Sequence, residues 1–127
     1  MNNYTPCTFS INSFGTVPKL AIRRASSQKV RYLQLNSSLL GLSPIHLNGS
    51  SLRDLKSCLN RSEIIPTGYD LVEMNALLKS SSKYDEAMYL FNCAKKAMSY
   101  LGVKKINIRL PDIHNDKLEN FIRELQI

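Results

Sequence analysis

The apolar positions of this chain change period along its length, and the changes divide it into elements. The clearest helical pattern covers residues 82–102, where Ala87, Leu90, Phe91, Ala94, Met98 and Leu101 recur at intervals of three and four and share one helix face. Ser82 is a suitable N-cap, Asp85 and Glu86 place negative charge in the first turn, and Gly102 can adopt the left-handed conformation that closes the last. The spacing predicts a second amphipathic helix over residues 70–79, with Leu71, Met74, Leu77 and Leu78 inward. A shorter one starts at Ser51, where Asp54 completes a capping-box-like pattern ahead of Leu55 and Leu59. A last helix, capped by Asn115 or Asp116, presents Leu118, Phe121, Ile122 and Leu125.

Elsewhere the period is two. Over residues 17–36, VPKLAIRR and KVRYLQLN are β-type runs separated by ASSQ, which predicts an antiparallel hairpin with Leu20, Ile22, Val30 and Tyr32 inward. Over residues 103–110, Ile106, Ile108 and Leu110 alternate with Lys105, Asn107 and Arg109 until Pro111 stops the strand. Residues 7–11 have room for one more short strand, and residues 36–51 read as a loop anchored by Leu39, Leu40, Leu42, Ile45 and Leu47. The expected fold is therefore α+β: a small antiparallel sheet, made of the hairpin 17–36 plus the strand 103–110, packed with three to four helices in one domain spanning residues 1–127.

Charge adds an asymmetry that the pattern alone does not show. Residues 1–62 hold eight Lys or Arg against the single acid Asp54, whereas residues 63–127 hold nine basic and nine acidic residues. In the predicted hairpin Lys19, Arg23, Lys29 and Arg31 point outward, and with Arg24 they define a basic surface suited to an acidic protein partner or to nucleic acid. Only Tyr32 among them offers a ring for base stacking, which favours the protein partner. No apolar run approaches the length of roughly 20 residues that a membrane helix needs, so a soluble domain without a membrane span is expected. The acid-free residues 1–14 read either as a loose terminus or as an organelle-targeting or export segment. Cys7, Cys58 and Cys93 are widely spaced, which suggests reduced thiols in a reducing, cytoplasmic compartment.

Candidate chemistry is sparse. The two histidines, His46 and His114, have no neighbouring nucleophile and acid in a catalytic pattern, and His114 with Asp112 and Asp116 makes a poor ligand set without a fourth donor. No catalytic residue, metal site or cofactor is read from the sequence. Arg23, Arg24, Ala25 and Ser26 spell R-R-x-S, a pattern similar to basophilic kinase sites, which marks Ser26 as a candidate phosphosite.

Two local resemblances bear on the fold. Leu71, Met74 and Leu78, followed by Tyr84, Asp85, Glu86, Ala87, Phe91 and Ala94, give residues 68–101 a likeness to a single tetratricopeptide unit. This implies a helical hairpin that packs on a sheet or keeps a peptide groove. Residues 95–127 are similar in element order to the back half of a GNAT-type acetyltransferase, which would imply an acyl-CoA enzyme. The place of that family's glycine-rich pyrophosphate turn is here residues 79–84, which contain no glycine, so this activity is the least favoured. The leading expectation is a non-enzymatic interaction module, an adaptor, small regulator or effector, whose basic N-terminal surface meets an acidic partner.

Overall fold

The computed structural model of the chain describes residues 7–113 and 115–125. Four strands alternate with helices: β1 (Thr8–Ser10), α1 (Pro18–Ser27), β2 (Tyr32–Asn36), α2 (Gly49–Arg61), β3 (Ile65–Asp70), α3 (Met74–Leu77), α4 (Tyr84–Leu101), β4 (Ile106–Asn107) and α5 (Asp116–Leu125). Short 3-10 turns at Ile11–Phe14 and Ser81–Lys83 precede α1 and α4. The strands form one sheet in the order β1-β2-β3-β4, and every neighbouring pair is parallel. The molecule is thus α/β, and the expected antiparallel sheet is corrected.

The correction has a local cause in residues 17–36. Pro18 occupies the first turn of α1, where its fixed φ and missing N–H do no harm. Ala21, Ile22 and Ala25 are the side chains that α1 buries, a helical spacing, while Leu20 remains 45% exposed. Over five residues the alternation of Leu20 and Ile22 mimics a strand, but Ala, Leu, Lys and Arg are all good helix formers. The serines read as a turn are the last residues of α1. With a helix between β1 and β2 the crossover is long enough for parallel pairing, which a hairpin is not.

Each connection steps the sheet one strand in the same direction. Right-handed crossovers then place α1, α2 and α4 on a single face, and α5, which follows the last strand, packs beside α4 through the Phe121–Tyr84 stack. One continuous core lies between these helices and the sheet, with Leu33, Leu35 and Tyr69 facing Ile22, Leu59, Ala87, Ala94 and Met98. Tyr69 donates its hydroxyl hydrogen to the Leu42 carbonyl at 2.6 Å, so its one polar atom is satisfied inside. In α4 the expected stripe is buried at Ala87, Leu90, Ala94, Met98 and Leu101, with Phe91 half-buried, and Gly102 closes the helix at φ 78°. Asn48 and Ser51 form the capping box of α2, one turn earlier than Ser51 and Asp54 would have placed it. The helix predicted over residues 70–79 is confined to α3, because residues 65–70 are drawn into the sheet as β3.

Three of the helix-to-strand connections are built alike. After α1 the N–H of Lys29 bonds to the Ser26 carbonyl and that of Val30 to the Ala25 carbonyl; Glu63 and Ile64 repeat this after α2, and Gly102 and Val103 after α4. Each pair is a Schellman closure with its middle residue in the left-handed region, at φ 63° for Lys29, 55° for Glu63 and 78° for Gly102. The step from helix to strand is therefore repeated in geometry though not in sequence.

Candidate functional site

Among the described residues, no helix covers the opposite face of the sheet. On β2 it carries Tyr32, Gln34 and Asn36, all half-buried, alternating with the fully buried Leu33 and Leu35. In register, Asn36, Asp70 and Asn107 lie side by side across three strands, and Gln34 lies between Ser10 and Gly68. Asp70 accepts hydrogen bonds through the same oxygen, Oδ1, from Gln34 Nε2 at 2.7 Å and Asn107 Nδ2 at 3.1 Å. A side chain at Gly68 would meet the Gln34 amide at 3.4 Å, so the bare backbone there makes room for Gln34 to lie across the sheet. β3 also holds Pro66 in a central position, which is tolerated because the register shifts beside it.

The carboxyl ends of the strands, where α/β proteins place their ligands, are tied by further bonds. Ser37 donates to the Glu73 carboxylate and accepts from the Val72 N–H at 3.0 Å. Asn75 donates to the Arg109 carbonyl at 3.1 Å, across a cleft of about 440 Å³ that Asp70 and Asn107 also line. Burial, and then the negative charge of Glu73, push the Tyr69 hydroxyl well above its usual range, so it stays protonated as a donor. Among the described residues no group of three His, Cys, Asp or Glu could hold a metal ion. At this end Ser37, a hydroxyl beside a carboxylate, is held by Glu73 and the Val72 N–H, and Asp70 by Gln34 and Asn107; among the described residues no histidine joins either group.

The basic residues expected to share one surface are drawn to separate places. Lys19 lies 4.0 Å from Asp54 of α2. Arg24 reaches the other way and donates from Nη1 to the Phe14 carbonyl at 3.1 Å. Arg23 is exposed on the outer side of α1. Lys29 and Arg31 line a cleft of about 590 Å³ at the amino end of the sheet, with Ser26, Asn60 and Glu63. Ser26 itself is half-buried and donates to the Ser62 carbonyl at 2.8 Å, so its hydroxyl joins α1 to the end of α2. His46 is exposed in the loop after β2, and His114 lies outside the described residues. Residues 1–6 of the terminal segment also lie outside them; residues 7–14 supply β1 and a 3-10 turn.

Sequence reasoning missed the uncovered sheet face. A signal was present in the run of Gln34, Asn36, Asp70 and Asn107, polar residues inside or at the end of otherwise apolar stretches. Two apolar side chains at the start of α1 are also exposed: Leu20 by 45%, and Val17 by 52%, the latter lining a cavity of about 290 Å³ with Leu40, Leu42 and Leu55 of the α2 side. No family model and no curated protein matches the chain. Among the described residues, no helix is long and apolar enough to cross a membrane.

Proposed function

We propose that the chain is a protein–protein interaction module, an adaptor or small regulator, that engages an acidic partner through the outer flank of α1 and the adjoining uncovered sheet. One observation carries this reading: an all-parallel sheet that, among the described residues, is covered by helices on one face only. Parallel sheets are normally buried on both faces, and an open strand edge is a template for further pairing. The outer flank of α1 adds the chemistry of the contact, with Leu20 as apolar surface and Arg24 as the charge. The remaining basic residues of the N-terminal half contribute long-range attraction to an acidic surface.

The test is retention from extracts of the source organism on immobilised protein, with wild type and a Leu20→Glu/Arg24→Glu double variant compared side by side. The expected result is a specific protein held by wild type and lost by the variant. Equal retention by both would refute the assigned surface.

A further inference from the structure

We propose that the cleft at the carboxyl ends of β3 and β4 binds a free amino acid with a small aliphatic side chain. The cleft, of about 440 Å³, lies where open parallel sheets take their ligands, and Asp70, Asn75, Asn107 and Arg109 line it together with Val72 and Ile108. Asp70 and Arg109 carry opposite charges there without pairing, since the ion pair found within 4.0 Å among the described residues is Lys19–Asp54. Opposite charges that share a cleft and do not meet suit a ligand that carries both.

The acidic side of the cleft is fixed in advance. Gln34 Nε2 and Asn107 Nδ2 both donate to Asp70 Oδ1, at 2.7 and 3.1 Å, so the carboxylate is held in place while its Oδ2 takes neither bond. Asn107 gives an N–H to Asp70 and Asn75 gives one to the Arg109 carbonyl at 3.1 Å, and each keeps its amide oxygen as an acceptor. One charged and two neutral acceptors match the three N–H groups of an ammonium. Asp70, Asn75 and Asn107 are all half-buried, which strengthens a charged contact relative to open water.

Arg109 supplies the other half of the recognition. Asn107 stands beside Asp70 in register, and Arg109 follows two residues later, a step of at most about 7 Å. The bond from Asn75 fixes the backbone of Arg109 at that place, while its exposed guanidinium can meet a carboxylate with two parallel N–H groups. An α-amino acid carries its ammonium and its carboxylate on one carbon, so it is short enough to lie between the two side chains. Val72, 45% exposed, and the half-buried Ile108 leave apolar surface for an aliphatic side chain.

Thermal unfolding of the whole chain tests this with alanine, valine and leucine as probes, beside isocaproate and isoamylamine, which each lack one charged group of leucine. At about 10 mM, one or more of the three amino acids should raise Tm by about 3 °C or more, whereas isocaproate and isoamylamine should leave it unchanged. In calorimetric titration with the best of the three, Asp70→Asn and Arg109→Gln should each weaken binding about tenfold or more. Asp70→Asn removes the charge but keeps an oxygen to accept from Gln34 and Asn107. Should that variant nevertheless unfold more easily without ligand, Arg109→Gln, made at an exposed side chain, decides alone. No shift with any of the three amino acids would overturn the proposal, as would an equal shift with isocaproate or isoamylamine, or binding indifferent to the substitutions.

Discussion

The two faces of β2 alternate along five residues, yet they obey different rules. Leu33 and Leu35 are sealed beneath the helices, where fit and lost water contact decide stability. Tyr32, Gln34 and Asn36 stay half-exposed, and the bonds beside them form a lateral network that a buried face would have filled with branched apolar side chains. The difference separates what the fold needs to exist from what it keeps for contact.

The comparison breaks most sharply at Leu35. Leu35→Ala should lower unfolding free energy by about 2–5 kcal/mol in urea denaturation, because the core cannot fully collapse onto the cavity. Gln34→Ala, one residue away on the other face, should cost no more than about 1 kcal/mol. Equal losses would mean that both faces are packed alike.

Tyr69→Phe removes one hydroxyl from the covered face and leaves the Leu42 carbonyl without its partner, an expected loss of about 1–3 kcal/mol. The same substitution sharpens the pH behaviour. The folded protein holds the Tyr69 proton more tightly than the unfolded chain does, so this contribution is fully present below about pH 10, the unfolded value, and is lost as pH rises above it. Stability should fall above pH 10 by up to about 1.4 kcal/mol per pH unit from this group. Tyr69→Phe should flatten that fall, which guanidinium titrations at pH 9, 10 and 11 would show.

Next in size are the two strained closures. Lys29→Gly and Glu63→Gly relieve a left-handed conformation in a residue with a side chain, and each should raise the denaturation midpoint by about 0.5–1 kcal/mol of added stability. A decrease at Lys29 would show that its side chain is held in the amino-end cleft. The smallest effect belongs to the Lys19–Asp54 pair, exposed by 53% and 65%. A double-mutant cycle should find a coupling below about 0.5 kcal/mol.

Much of the helical layer was legible in the sequence, because α4 and α5 repeat their apolar residues over several turns, α4 closes on Gly102 and α5 opens on Asn115. The expected N-cap of α4, Ser82, falls instead in the preceding 3-10 turn, and Lys83 takes that place without a side-chain cap. Strand direction was not legible. Alternation along VRYLQLN reports that one face is buried, and the same alternation serves parallel and antiparallel pairing. The decisive fact is whether residues 17–27 turn or wind, and that rests on Pro18, Ala21 and Ala25 against a two-residue coincidence at Leu20 and Ile22. The basic surface was illegible for the same reason: once α1 replaces a strand, side chains two apart no longer share a side, and Lys19 and Arg24 part in opposite directions.

The sequential strand order also bears on how the chain reaches its native state. Every strand joins the edge left by its predecessor, so no pairing has to wait for a distant segment, and the longest loop to be closed runs from Tyr69 to Ile106. The sheet can be laid down in the direction of synthesis, each helix folding back over the strand pair it has just connected. The growing edge is then always the newest strand, exposed only until the next unit arrives.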